Sequence, residues 1–329
     1  TGTSASSLSY KTTSWTSVSP TDAFVLTGSF QYQHSTVSLH GKLFWAYKSA
    51  QDRLHVWDGT SFRRAGIAPA AAAPTGANSG GAGTYAGTRY VRVRFVEVNG
   101  SSVVLRRSEP SPTLTISPSG SNLSYTVTRP TAPGEGETHW EVEFSTDNGF
   151  FYRMSRIAIA TTTYVDSTAL TTGYAVSGVL SDDIGDYTVP HSAKYLAADE
   201  DRLLMAGSFE QDALASRVSW TPVYNDPGDG NDERVPDDTD NFLDLDGFEG
   251  GPITDLHGPV NGHSWAFKRQ HIYKLVRTGK RTRAYDAFCI TKKRGAISRS
   301  VIEAQDQQGR PALYFLDPAV GPSRMGAEG

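Results

Sequence analysis

Between Ile253 and Gly279, apolar and polar residues fall into short runs separated by turn-forming residues. Ile253 to Leu256 is one apolar run, and Pro259, Asn261 and Gly262 supply turn chemistry after it. His263 to Lys268 is a second run, with Trp265 and Phe267 on one face. Arg269 and Gln270 fit a tight turn, and His271 to Val276 returns. Strands of about five residues joined by turns of about two to five build a four-stranded antiparallel blade. The same pattern runs from Thr36 to Leu39, through a turn at His40-Gly41, into Leu43, Trp45 and Tyr47 alternating with Phe44, Ala46 and Lys48. Arg53 to Trp57 follows, and Asp58-Gly59 closes a hairpin onto Ser61 to Arg64, because both residues tolerate positive φ. Further units start near residues 193, 253 and 300. A spacing of about 45 to 60 residues with several strands per unit predicts propeller blades. No sustained i, i+3, i+4, i+7 apolar period is present, so helix should be scarce.

A different pattern separates the first unit from the second. Ala68 to Gly83 is rich in Ala, Pro, Gly and Ser and reads as a linker. Tyr90 to Val98 then alternates strictly, with Val91, Val93 and Phe95 on one face and Arg92 and Arg94 on the other. Asn99-Gly100 predicts a type I′ turn, with Ser101 to Arg106 pairing back. Trp140, Val142 and Phe144 form another strand, with Glu141 and Glu143 outward, and Asp147-Asn148-Gly149 turns into Phe151 to Ile159. About seven strands in about 90 residues predict a small two-sheet sandwich. The expected organisation is residues 1–71 as the first part of a propeller, 72–172 as linker and inserted sandwich with its core at 84–168, and 173–329 as the remainder.

Charge changes this picture more than composition does. The formal net charge of −4 conceals two opposed blocks. Asn225 to Glu249 holds ten acidic residues against Arg234 alone, and Lys268 to Arg299 holds eleven basic residues against Asp286 alone. One reading is two solvated faces. The other is complementary surfaces between subunits, or contact with a polyanion. The candidates for such contacts are Asp226, Asp229, Asp232, Asp237 and Asp238 on one side and Lys292, Lys293 and Arg294 on the other. The single cysteine, Cys289, sits in a strand-like run and is expected to be buried. Without a second cysteine no disulfide forms within the chain, which suits assembly in a reducing cytosol. No apolar run approaches the length of a membrane span. No signal peptide is visible, and the chain opens at Thr1 without Met and stops after a strand-like run, as a piece of a longer polypeptide would.

Motifs for chemistry are missing. Asp226, Asp229, Asn231 and Asp232 cluster oxygens suited to Ca²⁺, but the EF-hand order is not there, and a solvated or interface loop is expected. The histidines form no HExxH pairing, and neither GxSxG nor a phosphate-cradling loop occurs. Ser145 to Tyr152 partly matches an Asp-box, in a single copy with its Thr and Trp replaced, and reads as a hairpin with Asn148-Gly149 at positive φ. Trp15, Trp45, Trp57 and Trp265 suit sugar platforms, yet at alternating strand positions they are expected in the core. Carboxylate pairs for glycoside hydrolysis exist, but sequence does not give their separation. No enzyme activity, cofactor or metal is expected.

Two resemblances add to this reading. GTYAGTRYVRVRFVEVNG, RRSEPSP, THWEVEFSTDNGFFY and TTTYVDST, within residues 84–168, resemble a fibronectin type III module. The fold class implied is all-β, a β-propeller-like domain with an inserted fibronectin III-like β-sandwich. SRVSWTPVYNDPGD, NFLDLDGFEGGPITDL, HSWAFKRQHIYKLVRTG, GAISRSVIEAQ and RPALYFLD, within residues 193–317, resemble propeller virion proteins of the tail hub or nozzle of tailed bacteriophages. VWDGTSFRRAGI, at residues 56–67, is similar to the same class. What that resemblance implies is a structural subunit, in a ring of six, around the DNA exit channel below the portal and adaptor. Its partners would be itself, the portal, adaptor and other tail proteins, and passing genomic DNA read without sequence specificity. It would carry no membrane anchor, and would reside in the virion after assembly in the host cytoplasm. The alternative is a glycan-binding or glycan-cleaving propeller, a receptor-binding protein or depolymerase.

Overall fold

The computed structural model describes residues 8–11, 15–18, 34–47, 53–80, 85–118, 123–170, 172–209, 211–223, 231–247, 249–280 and 283–326. Among them the fold is all-β, with two single-turn 3₁₀ segments and no α-helix. In chain order, a first hairpin pairs β1 (Leu8–Lys11) with β2 (Trp15–Val18). The first blade is β3 (His34–Leu39), β4 (Lys42–Tyr47), β5 (His55–Trp57) and β6 (Phe62–Arg64). A sandwich follows, made of β7 (Thr75–Ser79), β8 (Arg89–Val98), β9 (Val104–Arg107), β10 (Leu114–Ile116), β11 (Ser124–Thr128), β12 (His139–Ser145), β13 (Tyr152–Ala158), β14 (Thr163–Asp166) and β15 (Val179–Leu180). The second blade is β16 (Tyr195–Asp199), β17 (Arg202–Ala206), β18 (Arg217–Trp220) and β19 (Phe242–Asp244). The third is β20 (Ile253–Val260), β21 (His263–Lys268), β22 (Ile272–Arg277) and β23 (Tyr285–Thr291), and the fourth is β24 (Ile302–Gln305), β25 (Pro311–Asp317) and β26 (Gly321–Met325). Each blade is an antiparallel meander in which sequential strands pair, four-stranded in the first three and three-stranded in the fourth.

Two compact units result. One comprises residues 1–65, 190–225 and 235–329; the other comprises 66–189 and 226–234. The second is wider than the expected 72–172 at both ends and also takes in a short stretch of the acidic loop.

Within the first unit the blades stack face to face, and β16 lies beside both β3 and β20. Side chains alternate across a strand, so a blade between two neighbours buries both faces. On β17, Leu203 and Met205 join Leu39, Phe44 and Val56 of the first blade. Leu204 and Ala206 join Leu256, Ala266 and Leu275 of the third. On β21, Trp265 and Phe267 pack on Leu313 and Phe315 of the fourth blade. This is why RLLMA and HSWAFK read as nearly unbroken apolar runs. The β20–β21 connection is a tight turn at Asn261 and Gly262, with φ of +54° and +81°, the conformation a type I′ hairpin requires. The preceding strand runs on to Val260, past the expected end at Leu256, by bulging around Gly258-Pro259.

In the second unit, β8 and β12 form the centre of the larger sheet, flanked by β10, β9, β13 and β15, and β7, β11 and β14 form the smaller one. Val91, Val93, Phe95, Trp140, Val142 and Phe144 from one sheet meet Val127, Tyr125 and Tyr164 from the other. Three expectations need correction here. Residues 75–79, expected within a linker, pair with β11 as a sheet strand. Ladder hydrogen bonds need no side-chain volume, and an added Cβ at Gly76 would come 2.3 Å from the Thr126 carbonyl oxygen. Asn99-Gly100 does not form a two-residue turn. The Asn99 side chain instead accepts from the Ser101 and Val103 amides, and Ser102 takes φ +64°. At the β12–β13 hairpin only Asn148, of the Asn148-Gly149 pair, has positive φ, while Asp147 Oδ1 accepts from the Gly149 and Phe150 amides.

Glu141 and Glu143 need correction as well. Both were expected outward, and both are buried. Glu143 receives Arg92 at 2.5 Å and Arg94 at 2.9 Å, and Glu141 receives Arg107, Arg153 and Arg156 at 2.8–3.1 Å. Residues 182–187 cross this charged face. Arg94 donates to the Asp182 carbonyl, Arg107 pairs with Asp182, and Glu109 accepts from the Gly185 amide. The alternation was read correctly, but the polar face is covered as well.

Candidate functional site

The acidic and basic blocks are where function was expected, and the fold distributes them. Asp226 and Asp229 lie outside the described residues. Asp232 is buried in the sandwich unit beside Glu233, whose carboxylate accepts the Gly66 amide at 3.2 Å. At Asp232 and Glu233 the chain is therefore packed, where a solvated or interface loop was expected. Asp237 and Asp238 are exposed, and Asp238 Oδ1 shapes its own turn by accepting from Asp240 N and Asn241 Nδ2. Among the described residues, no group of three or more His, Cys, Asp or Glu is placed to hold a metal ion.

Of the basic block, Lys268 turns inward, whereas Arg269, Lys280, Arg283, Lys292, Lys293, Arg294 and Arg299 are exposed. Lys268 is fully buried on β21, and its ammonium donates to Ser216 Oγ and to the carbonyls of Leu245, Gly247 and Glu249 at 2.5–3.1 Å. Burial pushes its pKa down, while four oxygens and the nearby Asp246 and Glu249 carboxylates support the charge. The acidic loop is thus wound around a lysine from the basic block. Asp246 accepts from the Tyr273 hydroxyl at 2.9 Å, and His271 Nδ1 lies 3.0 Å from that hydroxyl. Burial, with the Asp246 carboxylate, raises the Tyr273 pKa and keeps the phenol protonated.

Lys292 pairs with Asp246 at 3.1 Å and with Glu249 at 3.3 Å, and Arg294 lies 3.8 Å from Asp317. Lys293 is exposed. With Arg269, Gln270, Asp317 and Pro318, Lys292 and Lys293 line an open cleft of about 470 Å³. Asp317 is itself tied down, accepting from the amides of Gly295, Ala319 and Val320. The two blocks were read as solvated faces, as complementary surfaces between subunits or as contact with a polyanion. They meet on neighbouring blades, because the loop after β19 and the loop after β23 both reach the β21–β22 hairpin.

Two further basic residues fasten blades together. Arg277 of β22 pairs with Asp199 and Glu200 at the β16–β17 turn, and its pKa rises through the bond to Asp199. Arg299, at φ +59°, donates to the carbonyls of His34, the first residue of β3, and Lys194, ahead of β16. Its own amide donates to Thr254 of β20 at 3.1 Å. Arg299, three residues before β24, thereby links the starts of the other three blades to the fourth. Sequence reading counted Arg299 only as one more positive charge, and nothing local marked it as a clip.

Two other expectations resolve plainly. Trp265 is buried between the third and fourth blades, with no open face for a sugar. Cys289 was expected in the core and is exposed, because β23 is the outermost strand of its blade. Partial desolvation and the Asp246 carboxylate raise its thiol pKa, which disfavours the nucleophilic thiolate.

No protein-family model matches the chain. No curated protein matches it. Among solved structures it is similar to BBS1N in complex with ARL6DN. For the crystal soaked with lead, the identity is 10%, with 88% of this chain and 77% of that chain covered and a TM-score of 0.26. For the crystal soaked with mercury, the identity is 10%, the coverage 86% and 75%, and the TM-score 0.25. At such scores the likeness carries no argument, and the propeller-like reading rests on the blades themselves.

Proposed function

We propose that this chain is a structural, non-enzymatic subunit of a tailed-bacteriophage virion, part of the tail hub or nozzle, and that it works in a ring around the DNA exit channel. The observation that carries this reading is how the charged groups of the resembling segments are used. DNFLDLDGFEGG and HSWAFKRQHIYKLVRTG place Lys268, Asp246, Tyr273 and Arg277 in internal fastenings between strands and blades. A rigid blade stack locked by ionic clips suits a load-bearing part. The inserted sandwich acts in this reading as a spacer or interaction module. Portal, adaptor and other tail proteins are its neighbours, and DNA passes without being read.

Antibody raised against the purified chain and coupled to gold tests the proposal on particles of the phage that encodes it. Labelling confined to the tail below the head, at several copies per particle, is the expected result. Absence of label from intact and from dissociated virions would overturn it. So would reproducible turnover of polysaccharide by the pure chain that is lost when a single carboxylate is neutralised.

A further inference from the structure

The fourth blade is covered on one face only. Leu313, Phe315 and Met325 point into the interface with Trp265 and Phe267. The alternate residues of the same strands point the other way, and they are apolar too. Ile302 on β24 is 61% exposed and Leu316 on β25 is 39% exposed. With Tyr314, Pro322 and Arg324 they line an open cleft of about 490 Å³. The contrast with the middle of the stack is plain: every residue of β24 is exposed, whereas β16 is buried at four of its five positions. β26 adds an edge, since among the described residues the fourth blade has three strands where the other three have four.

We infer that this face is the contact with a second copy of the chain, which lays a blade against it as a continuation of the stack. Three interfaces of one kind already run through the unit: an alternating apolar row on one blade meets the like row on the next. The open row on the fourth blade continues that series in strand order, so the surface that fits it is another sheet face. A blade from another copy supplies one through a different surface patch. Such a head-to-tail contact is heterologous, and it closes into a ring when its rotation permits. The inference rests on the ring reading and names its interface. It does not draw on Lys292, which spends its charge on Asp246 and Glu249 of its own chain.

Sedimentation velocity of the full chain, from about 1 to 100 μM, tests it, because that range brackets the dissociation of interfaces of ordinary strength. Wild type should associate, and added salt should leave the association unchanged or strengthen it, as for apolar burial. The double variant Ile302→Glu, Leu316→Glu changes only exposed side chains and should keep the wild-type circular dichroism and melting temperature. Its dissociation constant should rise by at least about tenfold, as when central apolar anchors are lost. Wild-type chain that stays monomeric, a double variant that associates as wild type does, or association that dissolves in salt would each overturn the inference. Gold labelling on particles is independent of all three, so a failed interface and a failed tail reading remain distinguishable.

Discussion

Asp255 shows what one half-buried carboxyl does here. It sits on β20 and accepts from the Leu256 and Val301 amides at 3.0 Å. Burial raises its pKa to about 6, outweighing those two bonds and the nearby His257 and Arg299. The fold therefore prefers the protonated acid. A raised carboxyl pKa means the native state holds a proton that the unfolded chain has released between about pH 4 and 6. Its contribution is favourable below about pH 4 and is lost as pH rises through 6. Carboxyls with lowered pKa, such as Asp182 and Asp58, run the opposite way. Urea midpoints of wild type and Asp255→Asn, compared from pH 4 to 7, isolate the group. The variant should gain on wild type as pH rises across that window. A constant difference would show that Asp255 does not titrate there.

At the scale of the element, the blade is the unit, and β21 is its most exacting strand. Ser264 donates to Asp199 and Ala266 faces the second blade, while Trp265 and Phe267 face the fourth. Phe267 and Phe315 meet with ring centroids 5.4 Å apart. Removing an indole from such a site leaves a cavity between two rigid sheets that cannot both collapse. Trp265→Ala should cost about 3–5 kcal/mol in denaturant unfolding. A loss under about 1 kcal/mol would mean the strand does not hold the two blades together. The alternation that places Trp265 and Phe267 on one side was legible in HSWAFK, and so was the turn after it. The far end of β20 was not, because a bulge spends a residue without a sequence signal strong enough to count on. Nor was β7: TGANS has almost no side-chain volume, and only the facing β11 makes it a strand.

For the whole molecule, the division into two units makes the strongest demand. Ala65 closes the first blade and Ala193 opens the second, and both lie in one apolar cluster. The propeller-like unit thus brings the ends of the inserted segment together by its own packing. Deleting residues 66–189 and bridging Ala65 to Pro190 with a short Gly/Ser linker should leave one cooperative unfolding transition, since insertions at such junctions cost mainly loop entropy. Loss of any cooperative transition would show that the blades need the sandwich to fold. A cut at 72–172 should do worse. It strips the smaller sheet of β7, β11 and β14 and the larger of β8, β12 and β13, yet leaves Ile67 and Tyr174 of that core behind.

What the sequence determined by itself was local: strand period, most of the turn positions, the scarcity of helix, and the change of pattern between blades and sandwich. Those follow from side chains alternating across a strand and from residues that accept positive φ, and both act over a few neighbours. Where charges went was decided only in three dimensions. Glu141 and Glu143 point away from the sandwich core as their alternation requires, yet residues 182–187 cover them. Lys268 looks like surface in HSWAFKRQ and is enclosed by carbonyls from a loop about twenty residues earlier. Lys292 and Asp246 are far apart in the chain and 3.1 Å apart in the fold. A charge is stable in water, or buried against the right partners, and sequence alone does not say which, because the partners arrive from elsewhere in the chain.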